Sequence, residues 1–181
     1  RSLRAADAAL EAARRGAMAR KRGDLAGSCR AFSNAVLLTP KWALAQLELG
    51  RCLRLLGAPY SQVHRHLDLA LRWFPGWSLV HIEAGLVAED RGLRSKARTS
   101  YLKALSLDPK DNRALAGWVR VSSLDAPDAV ILRLQRFLKR HPHSIAAKLK
   151  LARVLEKKGH LDQAEALLRQ VLWYSRYKTA A

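Results

Sequence analysis

Acidic side chains are scarce in this chain: 15 aspartates and glutamates stand against 33 lysines and arginines, a formal charge of +18 over 181 residues. The imbalance fixes no fold, but it favours partners with acidic surfaces, nucleic acid or anionic membrane. Cysteine is nearly absent, with only Cys29 and Cys52. Two are too few for a disulfide framework or a closely spaced zinc set, so they read as two small buried hydrophobes. That reading fits a reducing compartment without excluding a periplasmic one. No run of about 18 apolar residues crosses a membrane, and no signal peptide is visible. The first residue is Arg1 rather than methionine, which leaves open a longer chain and an upstream targeting segment. Missing as well are a glycine-rich phosphate loop, a His-Glu-x-x-His pattern and a nucleophile elbow. The six histidines supply only local pairs: His64 with His66, and His141 with His143 across Pro142. Two imidazoles make a weak metal site. The expectation is therefore a protein that is not an enzyme and uses no cofactor or metal.

What the chain does have is internal repetition, which must be tested before any fold is assigned. Pro40, Pro75, Pro109 and Pro142 are four of the six prolines and recur at 35, 34 and 33 residues. Each closes an apolar stretch with helical spacing. Between them the same positions return. Gly16, Gly23, Ser28, Phe32 and Ala35 precede Pro40, and Gly50, Gly57, Val63, Leu67 and Ala70 precede Pro75. Gly85, Gly92, Ala97, Tyr101 and Ala104 precede Pro109. A degraded copy runs through Val119, Ala126, Val130, Leu134 and Phe137, and a last copy holds Ala152, Gly159, Ala164, Leu168 and Val171. The spacing predicts first helices near 9–22, 42–56, 78–91, 112–124 and 145–158, and second helices near 25–38, 60–74, 94–107, 128–141 and 161–175. Mid-helix glycine costs about 1 kcal/mol relative to alanine, so Gly16, Gly50 and Gly85 mark places where a neighbouring helix crosses closely. Gly23, Gly57, Gly92 and Gly159 fall at turns, where they accept the left-handed conformation that ends a helix. The prolines stop each second helix, and Trp42 and Trp77 are expected to pack across joints. In the fourth copy Trp118, Val119, Ser122 and Ser123 replace the small-and-glycine pattern, and Phe137, where the first three copies carry alanine, is expected to widen the local crossing, bending the solenoid or compensating for the missing residue.

These positions resemble the tetratricopeptide repeat over roughly residues 9 to 178. The resemblance implies an all-α, right-handed superhelical solenoid of antiparallel helix pairs, about five repeats and ten helices. The expected organisation is a single domain over 1–181 with units 9–42, 43–77, 78–111, 112–144 and 145–178. No unit buries its apolar face alone, so function is sought on the surface that stacking creates.

In this family the first helix of each pair lines the concave groove. Carried over position by position, the resemblance implies a partner-binding set of Leu44, Leu47, Arg51, Arg54, Leu79, Ile82, Leu86, Arg120, Leu149 and Arg153. Arg51, Arg120 and Arg153 hold equivalent places in three units. Such a groove is apolar with arginine forks that bind carboxylates bidentately, so the expected partner is an acidic or amphipathic segment of another protein. The bland reading is that these arginines only keep the face soluble by lying over apolar neighbours. The lysine–asparagine–arginine clamp of some family members, which grips a C-terminal carboxylate, is not reproduced. Ala13, Ala17, Glu48, Leu79 and Glu83 stand at its positions.

The function expected is a scaffold or adapter, with a cytoplasmic location. Two alternatives differ in class. A helical-repeat binder of RNA or DNA suits the charge, but the aromatics fall at core or joint positions rather than interleaved with basic residues. A structural subunit of a larger assembly suits the C-terminal aromatics Trp173, Tyr174 and Tyr177, which lack an obvious polar cap and suggest a subunit contact through the last helix or a chain that continues.

Overall fold

In the computed structural model, residues 2–123 and 125–178 are described. They form ten helices with no strand among them: α1 (Ser2–Lys21), α2 (Leu25–Leu38), α3 (Ala43–Leu55), α4 (Tyr60–Trp73), α5 (Ser78–Asp90), α6 (Arg94–Leu107), α7 (Asn112–Ser122), α8 (Pro127–Arg140), α9 (Ile145–Lys157) and α10 (Leu161–Lys178). The fold is an all-α helical repeat. Only α1 departs much from expectation. It starts at Ser2, because residues 2–8 contain no glycine or proline to stop a helix. The contacts divide the chain into two compact units, 1–93 and 94–181, with the division inside the third expected repeat.

Helix ends follow the sequence signals. Gly23, Gly57, Gly92 and Gly159 all have positive φ, between 68° and 81°. Each precedes a residue whose backbone N–H reaches back over the helix end: Asp24 to Ala19, Ala58 to Leu53, Leu93 to Ala88 and His160 to Leu155, at 2.8–2.9 Å. These bonds satisfy carbonyls that a terminating helix leaves orphaned. Starts are capped by side chains. Asp24 accepts from the Gly27 N–H at 2.7 Å, Asp111 from those of Arg113 and Ala114, and Ser144 from that of Ala147.

The first unit holds α1 to α5. In its first pair Gly16 lies under the Phe32 ring, where an added Cβ would come within 2.9 Å, and in its second Gly50 faces Leu67 at 3.1 Å. Ala35 and Ala70 are fully buried. Trp42 and Trp77 pack against the two apolar clusters of this unit, as joint residues should. A polar bridge ties α4 to α3. The Gln46 side-chain N–H donates to the Pro40 carbonyl and its oxygen accepts from His66 Nδ1, both at 2.7 Å. Burial, and secondarily Arg65, lowers the pKa of His66.

The cysteines correct the sequence reading. Cys29 and Cys52 are buried, as expected, but they are not free thiols: they form a disulfide linking α2 to α3, with Cα atoms 5.6 Å apart. One lies eleven residues before Pro40 and the other twelve after it. Only the packing of α3 back onto α2 brings them together.

The second unit holds α6 to α10. Tyr101 is fully buried against Gly117, where an added Cβ would run into the ring. α9 and α10 pack along their lengths, and α8 packs on α9, but α7 and α8 approach each other at few points. Val119 fills in α7 the place held by Gly16 and Gly50 in the first two pairs and by Ala152 in α9, and the neighbouring Trp118 is buried. Phe137 turns its ring to His141, 4.6 Å away, and lines an opening beside α7. On α10, Leu172 and Trp173 are about 60% exposed, and Tyr174 meets the His143 ring at 5.4 Å. The Tyr177 side chain lies outside the described residues.

Candidate functional site

The first helices of the repeats carry the expected binding residues, and the structure sorts them. Leu47 and Ile82 were expected at an open groove but are 0% and 2% exposed, so no partner side chain reaches them. A three- or four-residue rhythm names a helix face without saying how wide its buried stripe is; here the stripe takes in both residues. Leu44 and Leu149 are exposed, while Leu79 and Leu86 are half-buried.

The arginines divide in the same way. In the first unit they are engaged internally. Glu48 lies eight residues after Pro40 and Glu83 eight after Pro75, and both are buried. Arg20 of α1 pairs with Glu48 of α3. Arg51 and Arg54 of α3 both reach Glu83 of α5, at 3.3 and 3.5 Å, and Arg54 also meets Asp90 at 3.2 Å. At 3.5 Å the Arg54–Glu83 contact is an ion pair too long for a well-formed hydrogen bond. α1 and α3 thus each hand a guanidinium to a buried carboxylate on the next first helix. Burial still dominates at Glu83: it raises the carboxyl above its ordinary pKa against the pull of Arg51 and Arg54, with Glu48 adding to the rise. Arg51 and Arg54 are therefore engaged between helices of the stack, a role invisible at the sequence level because the two acids sit on other helices.

In the second unit the same register position is inverted. Lys150 of α9 stands eight residues after Pro142, where the first unit has its glutamates. Arg153 is one turn further on, α7 packs against α9, and Arg120 of α7 acts electrostatically on Lys150. Partial burial lowers the pKa of Lys150, and Arg153 and Arg120 lower it further. Arg120 and Arg153 are exposed. Among the described residues no carboxylate pairs with Lys150 or Arg153. Lys150 was missed in the sequence, although reading the position eight after each proline, Glu48, Glu83, Gly117 and Lys150, exposes the change of sign.

Packed antiparallel pairs with repeated first-helix surfaces define a helical-repeat protein of the interaction or scaffold class. Residues 80–111 and 124–172 match family models described as tetratricopeptide repeat. The chain is a tetratricopeptide-repeat protein, of a kind that is generally a non-catalytic scaffold. Among solved structures it is similar to MamA residues 41–end from Desulfovibrio magneticus, with 17% identity, a TM-score of 0.73, and 94% of this chain and 97% of that one covered. It is similar also to pilF of Pseudomonas aeruginosa, with 17% identity, a TM-score of 0.75, and 92% and 76% covered. An O-GlcNAc transferase mutant from Thermobaculum terrenum is similar at 25% identity and a TM-score of 0.68; 76% of this chain aligns with only 27% of the transferase. No curated protein sequence matches the chain. No helix among the described residues is long and apolar enough to cross a membrane.

Proposed function

We propose that this protein is a non-enzymatic adapter whose first-helix surfaces bind an acidic or amphipathic segment of another protein. The observation that supports this most is the cationic position on α9, Lys150 and Arg153 beside Arg120, placed where the first unit has carboxylates. Arg51 and Arg54 already answer Glu83, whereas partial burial and the neighbouring arginines work against the charge of Lys150, a cost that an incoming carboxylate relieves. Leu149, one turn from Arg153, and Leu44, Leu79 and Leu86 in the first unit offer apolar contacts.

The test compares the native protein with a Lys150→Glu/Arg153→Glu variant as bait in lysate of the source cells, with bound proteins quantified by mass spectrometry. The expected result is a loss of about tenfold (1.4 kcal/mol) in partners that present acidic segments. Equal recovery by both baits refutes the reading.

A second reading, a subunit of a larger assembly, is favoured by the exposed Leu172 and Trp173 on α10. Light scattering of native protein and of Trp173→Ser separates it: self-association lost in the variant supports this reading, and a native monomer removes self-association through α10. As for location, the cytoplasm expected from composition has the Cys29–Cys52 bond against it, since such bonds persist mainly in oxidising compartments. Alkylation of both cysteines without reductant, in protein taken directly from its source, would restore the cytoplasmic reading.

A further inference from the structure

The opening beside α7 is a groove of about 700 Å³ between α6, α7 and α8, wholly within the second unit. It opens in the fourth pair, whose two helices α7 and α8 approach each other at few points. Leu115 and Trp118 of α7 form its floor, Leu102 and Leu105 stand on the α6 wall, and Val130 and Phe137 on the α8 wall. The charge along it has one sign. Arg133, Arg136 and Arg140 follow one another at three- and four-residue steps on α8, Arg98 faces the groove from α6, and no carboxylate lines it. The Arg133 guanidinium lies over the Trp118 ring, 5.2 Å from its centroid. In the floor, Trp118 Nε1 and Ser122 Oγ belong to residues only 4% and 3% exposed and have no hydrogen-bond partner. Buried polar groups normally have one.

We infer that this groove docks an amphipathic, acidic helix from another protein. Its apolar face would lie against the half-buried Leu102 and Phe137 and the exposed Leu132 that line the groove, with its carboxylates against the arginines of α8 and Arg98 of α6. The wall from Ala129 to Arg140 spans about 16 Å at 1.5 Å per residue, the length of three helical turns. The cations are strung along that wall rather than gathered at one end. A helix carrying acids at successive turns answers all of them, whereas the single headgroup of a small amphiphile answers one. An apolar helix face in an apolar groove with charged edges is a recurrent mode of recognition. The groove is bordered by second helices and is distinct from the first-helix surface proposed above, so the two stand or fall separately.

The probe is a fluorescein-labelled synthetic peptide of about 12 residues, just over three turns, with leucines at three- and four-residue spacing and glutamates between them. Binding to the full chain is read by anisotropy, and the indole N–H resonance of Trp118 by ¹⁵N-resolved NMR. Arg136→Glu/Arg140→Glu and, separately, Ala129→Trp, which fills the groove without changing charge, are each expected to weaken binding at least tenfold. Arg65→Glu/Arg72→Glu on α4, with the same charge change, is expected to stay within threefold of native. The peptide is expected to move the Trp118 resonance. Equal losses in the α4 variant, no effect of Ala129→Trp, or an unmoved Trp118 resonance each overturn the inference. So does dodecanoate moving that resonance where the peptide does not, which would make the groove a small-amphiphile site.

Discussion

At the scale of the residue, Glu83 is the most consequential acid in the chain. Because burial outweighs its two arginines, the folded protein keeps a proton on Glu83 at pH values where the unfolded chain has lost it. The folded state then binds more protons than the unfolded one, so this residue's contribution is greatest below the ordinary pKa of 4.5. It declines as pH rises through the raised value. Glu83→Gln should remove that decline and leave the protein no less stable than native at neutral pH. Urea midpoints for both proteins at a series of pH values check this, and a variant weaker than native at neutral pH would show that the arginine pairing outweighs burial. Gly117 offers a steric counterpart. Gly117→Ala pushes a Cβ into the fully buried Tyr101 ring, and overpacking of this kind costs about 1–3 kcal/mol. An unchanged unfolding midpoint would mean that Tyr101 moves aside freely. The paired use of Arg51 and Arg54 was out of reach in the sequence, because a charge's partner depends on a neighbouring helix rather than on periodicity. The inversion at Lys150 was within reach through register alone.

At the scale of the element, the join between α2 and α3 carries a covalent link. Closing a loop across a 23-residue separation stabilises by about 3 kcal/mol in the chain-entropy account. Urea unfolding with and without dithiothreitol should therefore show a loss of that order, and a Cys29→Ser/Cys52→Ser protein should match the reduced one in either condition. A protein indifferent to reductant would show that the bond is not made. Elsewhere the elements follow local signals closely. The positive-φ glycines, the Asp24, Asp111 and Ser144 caps and the prolines act within a turn of where they stand, so ten helices could be placed from sequence. The opening between α7 and α8 was half legible. Phe137 suggested a wider crossing, but which residues would line the gap followed only from packing.

At the scale of the whole molecule, the charge of +18 acts on anything anionic. A labelled single-stranded oligonucleotide should bind at low salt and lose more than about tenfold in affinity between 50 and 200 mM salt, as counterion release dictates. Submicromolar binding that survives at physiological salt would favour the nucleic-acid reading over the adapter. The sequence by itself determined the repeat, its period, its helices and turns and its membership among tetratricopeptide-repeat proteins, because all of these rest on local propensity and on apolar positions that recur. Tertiary structure alone decided that Leu47 and Ile82 are core, that Arg51 and Arg54 serve the stack, that Cys29 and Cys52 join, and that a basic groove opens beside Trp118. Each of these depends on the distance between residues of different helices, a quantity that spacing along one chain does not contain.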